Sequence, residues 1–136
     1  MNKIPDSALR VLRDGLFPRC STEALQFALE TLEADDKRWL QGATTSPPPL
    51  QCMVDHAVDG ACLFGLCGWG EITDDATVGQ VEERFARLCY EADQSLGEPA
   101  AVRYFLNWHD EAPREEVRLT LIQELDAEIK KRQNPG

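Results

Sequence analysis

Long apolar runs are missing from this chain. No stretch approaches the ~18 residues of a membrane-spanning helix, and no charged-then-apolar leader opens the sequence. Positive charge is scarce as well: 14 Lys and Arg stand against 24 Asp and Glu, a net charge of −10. A surface this negative repels phosphate backbones, which argues against direct nucleic-acid binding through a basic face. Histidine occurs only twice. Strand signals are nearly absent, since no run alternates polar and apolar residues for long, and Asp14-Gly15 and Asp59-Gly60 read as helix ends. No phosphate loop, dinucleotide fingerprint, His-Glu-x-x-His helix or calcium loop is found. The five cysteines are odd in number and set among apolar residues, unlike a secreted disulfide framework. These gaps predict a soluble, cytoplasmic, non-enzymatic protein with reduced thiols, no cofactor and no membrane contact.

What is present is helical spacing. Neither an internal repeat nor a long linker divides the chain, so residues 1–136 read as one domain. Pro5-Asp6-Ser7 can start a short helix through Ala8, Leu9, Val11 and Leu12, with Gly15 as its end. Ser21 is the expected cap of the next, where Leu25, Ala28, Leu29 and Leu32 form one apolar stripe. Pro47-Pro48-Pro49 forces a loop, after which Leu50, Met53, Val54, Ala57 and Ala61 again fall on one helical face. Residues 61–67 are apolar all round, which predicts a segment buried mid-domain. Thr73, Asp74 or Asp75 can cap a helix whose inner face is Val78, Val81, Phe85, Leu88, Cys89 and Ala92. Val102, Phe105 and Leu106 turn inward on another. Asp110 and Pro113 break or cap before a last helix built on Val117, Leu121, Ile122, Leu125 and Ile129. The expected fold is all-α, a single compact domain of five to seven helices.

Three constellations are candidates for chemistry or binding. Cys52-x3-His56, followed by Cys62-x4-Cys67, supplies the ligand types of tetrahedral zinc, but the spacing matches no common zinc pattern, and buried cysteines also pack as small hydrophobes. A cysteine nucleophile in Gly65-Leu66-Cys67-Gly68 would need an accessible thiolate beside His56 or His109, oriented by Asp55 or Asp110. The turn lacks the second glycine of a nucleophile elbow, because Trp69 occupies that position. Neighbouring His109 and Asp110 are expected to point different ways on a helix and form no dyad unaided. The third constellation is Arg103, Tyr104 and Trp108, residue types that interfaces favour, with no evident inward role once Phe105 and Leu106 fill the core. The alternative packs Trp108 on the last helix with Asp110 as its cap. Trp39 and Trp69, each beside a loop, are expected to be partly exposed.

Charge is unevenly spread. Residues 1–20 carry four bases against two acids, whereas residues 71–100 carry eight acids against Arg84 and Arg87. Such a run serves either as a set of solvated helix faces or as an acidic docking surface for a basic groove.

Cys62-Leu63-Phe64-Gly65, Trp108-His109-Asp110 and Glu116-Val117 together resemble an uncharacterised family of small helical proteins from actinobacteria and their phages. Members pair a buried Cys-x-x-Gly segment with a later Trp-Asn-Asp and a Glu-Val helix start. Here His109 replaces the asparagine, and the threonine of the helix cap is missing. The resemblance brings no activity with it; it implies a helical fold in which Trp108 and Asp110 are structural.

The function expected from these residues is binding to a partner protein with a basic surface. The expected contact residues are Asp74, Asp75, Glu82, Glu83 and Glu91 beside Arg103, Tyr104 and Trp108. One concrete form is a phage-type, anti-defence inhibitor, a nucleic-acid mimic that occupies a basic groove with carboxylates in place of phosphates. The alternatives are a zinc- or thiol-dependent domain centred on Cys52, His56, Cys62 and Cys67, and a structural subunit that forms homo-oligomers.

Overall fold

The computed structural model describes residues 4–50, 53–72 and 75–134. Its helices are α1 (Asp6–Arg10), α2 (Thr22–Glu33), α3 (Leu63–Trp69), α4 (Val78–Leu96), α5 (Ala101–Glu111) and α6 (Arg114–Gln133). A π-helical turn, Val11–Leu16, and a 3-10 turn, Phe17–Arg19, prolong α1. Two short antiparallel strands, β1 (Thr45–Ser46) and β2 (Gly60–Ala61), pair Thr45 with Ala61 and Ser46 with Gly60. The all-α expectation therefore holds, with one small ladder added.

Hydrophobic spacing explains most of this. Ser21 caps α2 through its side chain, accepting from the Ala24 N–H, and Ala24, Leu25, Ala28 and Leu32 are buried below it. In α6 the buried face is Val117, Leu121, Leu125 and Ile129, each side chain contributing about 2 kcal/mol through removal from water. The apolar segment forms α3, and every residue from Leu63 to Gly68 is buried. It lies between α2 and α4, while α6 covers α2, and α1 with its π turn packs on α4 and α5.

Five expectations need correction. Gly15 does not end the first helix; it lies inside the π turn, packed so closely on α4 that a Cβ there would stand 3.1 Å from the Ala92 Cβ. Residues 53–61 form turns and extended backbone rather than a helix: Leu50, Val54 and Ala57 are exposed, and beyond one local turn, closed by the His56 N–H on Met53 O, the later amides bond to remote backbone. The Val58 N–H donates to Ala76 O, the Asp59 N–H to Ser46 O and the Ala61 N–H to Arg38 O. Gly60 accordingly belongs to a strand, not a helix end. Thr77 caps α4 in a full capping box with Gln80; of the residues expected there, Asp75 precedes it, and Thr73 and Asp74 lie outside the described residues. Finally, Trp39 is 1% exposed, whereas Trp69 is half-buried.

Candidate functional site

A cleft forms where residues 54–58 run beside the start of α4. The first three amides of a helix have no partner within it. Here the Val78 N–H donates to His56 O, the Gly79 N–H to Val54 O and the Gln80 N–H to Thr77 Oγ1. Gly79 permits that approach, since a Cβ would meet Val54 O at 3.1 Å. The consequence is electrostatic: Asp55 arrives beside Glu71, Asp75 and Glu83, around a cleft of about 780 Å³ that Arg84 also lines. Val54 and Ile72 supply apolar wall.

Of the acidic residues singled out from sequence, Asp75 and Glu83 line this cleft. Asp74 lies outside the described residues. Glu82 turns the other way: it is half-buried, and its Oε2 accepts from Thr45 Oγ1 at 2.7 Å. Glu83 is exposed and pairs with Arg87 at 3.3 Å, and Glu91 is exposed toward the far end of the helix. At about 100° per residue, Glu82 and Glu91 point to opposite sides of α4, so the three glutamates make no common face. The aromatics are elsewhere again. Tyr104, 52% exposed, and half-buried Trp108 line a groove with Pro5 and Ser7 between α5 and α1. Trp108 tilts onto Phe105 at 5.9 Å between ring centres. Arg103 is exposed on α5. Sequence reasoning placed Glu71 in the same acidic run as Asp75 and Glu83 but missed Asp55 as their partner. The link is backbone pairing of Ala57 with Thr77, which no local pattern announces.

A second polar cluster is centred on a buried histidine and reaches the surface at Asp110. His109, at the end of α5, is fully shielded. Its Nε2 accepts from the Trp39 Nε1–H at 3.0 Å and more weakly from the Leu63 N–H at 3.4 Å. Both partners are donors only, so the ring proton sits on Nδ1, where it donates to Asp110 Oδ1 at 2.7 Å. The adjacent pair thus does make a dyad, contrary to expectation, because α5 ends there and the Asp110 side chain can turn back. Asp110 does not cap α6; it accepts from the Gly42 N–H at 3.0 Å. Burial opposes ionisation of Asp110, but hydrogen bonds from His109 and Gly42 outweigh it and leave the carboxyl below its ordinary value. Gln41 adds donations to His109 O and Ala112 O, carbonyls the helix end leaves free. Arg114 lies 4.5 Å above the Trp39 ring. Residues 39–42 are thereby clasped to the end of α5.

That cluster sits close to Cys62, and the chemistry it allows follows from the same geometry. Nucleophilic catalysis needs an accessible thiolate and a free imidazole nitrogen. Cys62 is buried, and burial pushes its thiol up to about 12; both nitrogens of His109 are engaged. Cys67 lies inside α3, and its thiol is pushed well up, first by the neighbouring Cys20 thiol and then by burial. The described members of the zinc constellation, His56, Cys62 and Cys67, are not gathered either. Cys52 lies outside the described residues, and His56 is exposed with Nδ1 against Ala57 O. Among the described residues, no group of three or more His, Cys, Asp or Glu is placed to hold a metal ion. Nor, among them, is any helix long and apolar enough to cross a membrane.

Comparison with family models, curated proteins and solved structures finds no match to this chain.

Proposed function

We propose that this domain binds a partner protein by receiving a basic segment in the cleft between residues 54–55 and the start of α4. The observation that carries the reading is the charge of the cleft: Asp55, Glu71, Asp75 and Glu83 line it with Arg84 as the one offsetting base among its described lining residues. Val54 and Ile72 suit the aliphatic stems of Lys or Arg, whose cationic heads would reach the carboxylates. The net charge of −10 steers a basic partner toward the domain from a distance. A partner that offers a basic nucleic-acid-binding groove fits the same chemistry, with carboxylates where phosphates would lie.

The test is fluorescence anisotropy of a labelled Arg/Lys-rich peptide titrated with the protein. Raising salt from about 50 to about 300 mM is expected to weaken binding roughly tenfold. The double change Asp55→Lys with Glu83→Lys is expected to weaken it by a similar factor, whereas Glu91→Lys, outside the cleft, changes it less than about twofold. Binding that ignores salt, or that suffers equally from Glu91→Lys, overturns the reading.

A further inference from the structure

Helix α1 packs on α5, and its one buried residue is Ala8, so the two backbones approach closely. Their meeting leaves a groove of about 440 Å³, with Pro5 and Ser7 on the α1 side and Tyr104, Asn107, Trp108 and Glu111 on the α5 side. Tyr104 and Trp108 stand one helical turn apart, about 6 Å between Cβ atoms, with Asn107 and Glu111 as the row beside them. Tyr104 is exposed and Trp108 half-buried, so this wall leaves aromatic surface in water. Hydrogen-bond donors are open as well. Among the described residues, the Tyr104 hydroxyl, the Asn107 amide and the Trp108 Nε1–H have no partner. The one buried side-chain polar atom lacking a partner there is Glu116 Oε2, so the Trp108 N–H reaches solvent.

We propose that this groove receives a proline-rich segment of a partner protein, carrying Arg or Lys and held as a polyproline II helix. That helix makes no internal hydrogen bonds, so its carbonyls need donors from outside. Trp108, Asn107 and Tyr104 supply them. Its prolyl rings are rigid and apolar and pack on aromatic walls with little loss of conformational freedom. Charge selects the flanking residues. Glu111 lines the groove, exposed Asp6 lies between Pro5 and Ser7 in the chain, and no basic side chain is among the described lining residues. Charge also argues against a second copy as the occupant. This chain carries Pro47-Pro48-Pro49, with Pro48 and Pro49 exposed, but no Lys or Arg stands within eight residues on either side. Two chains of net charge −10 repel one another, whereas a basic partner is attracted. The groove shares no lining residue with the acidic cleft, and the two sites stand or fall separately.

The experiment titrates the full chain into a fluorescein-labelled peptide of six prolines and two arginines, read by anisotropy. A peptide with alternating glycine and serine before the same two arginines controls for charge. The proline peptide is expected to bind at least about tenfold tighter, and to keep that preference at about 300 mM salt, because prolyl rings rather than charge create it. Tyr104→Ala is expected to weaken binding about tenfold. Trp108→Phe, which keeps a ring and removes the N–H, is expected to weaken it about fivefold. Should the Trp108 variant fail to fold by circular dichroism, exposed Tyr104 decides. Equal binding of the two peptides, or an unchanged affinity in Tyr104→Ala, overturns the proposal. Self-association of the chain alone that Tyr104→Ala abolishes would make a second copy the occupant and overturn the choice of partner.

Discussion

Replacing Trp39 with phenylalanine keeps an aromatic ring in the core and removes one donor, the Nε1–H that His109 Nε2 accepts at 3.0 Å. The acceptor is fully buried, and its remaining partner is the Leu63 N–H at 3.4 Å, too long to compensate. A buried group left short of its hydrogen bond costs about 1–2 kcal/mol. The smaller ring also loses packing and part of the Arg114 cation–π contact, about another 1 kcal/mol. The total, about 2–3 kcal/mol, corresponds to a Tm lower by roughly 7–10 °C for a chain of this size. Urea unfolding followed by far-UV circular dichroism reads it directly, with an unchanged m-value expected. A double-mutant cycle isolates the bond: in a His109→Leu background, Trp39→Phe should cost about 1 kcal/mol less, because the acceptor is already gone. Equal cost in both backgrounds, or a single-variant loss below about 0.5 kcal/mol, refutes the role assigned to this pair.

Two further outcomes follow from side chains that tie distant segments. Arg132→Ala removes donations to Phe17 O at 2.7 Å and Cys20 O at 2.9 Å, and is expected to cost about 2–3 kcal/mol in urea unfolding; Arg132→Lys should restore less than half, since a single ammonium cannot reproduce the fork. Asp110 has its carboxyl lowered in the folded state, so its stabilisation is present above the ordinary carboxylate range and is lost as pH falls through the folded value. Asp110→Asn should therefore be less stable at pH 7 and show a shallower loss of stability between about pH 4 and pH 2 than the unaltered chain, by urea unfolding at each pH.

The helices with clean apolar stripes were legible in the sequence. Leu25, Ala28 and Leu32 in α2, and Val117, Leu121 and Leu125 in α6, repeat at helical spacing and are buried. The continuous apolar stretch of α3 announced a central position. Leu50 and residues 53–61 show where spacing misleads: Leu50 and Val54 fit a helical stripe yet face water, and remote carbonyls of Ala76, Ser46 and Arg38 capture the amides of Val58, Asp59 and Ala61. The candidate cleft was half visible. Asp75 and Glu83 belong to the acidic run, but Asp55 joins them through backbone pairing across some twenty residues. Trp39 looked like a loop residue for the same reason, since its partner His109 lies 70 positions away.

Arg132 fastens the last turn of α6 onto carbonyls more than a hundred residues upstream. In a chain emerging from the ribosome, those carbonyls stay hydrated until the last turn of α6 has appeared. The N-terminal corner can coil early, yet it acquires its final anchor only when synthesis reaches residue 132. Completion of this corner is in that sense set by the arrival of α6 rather than by the coiling of the corner itself.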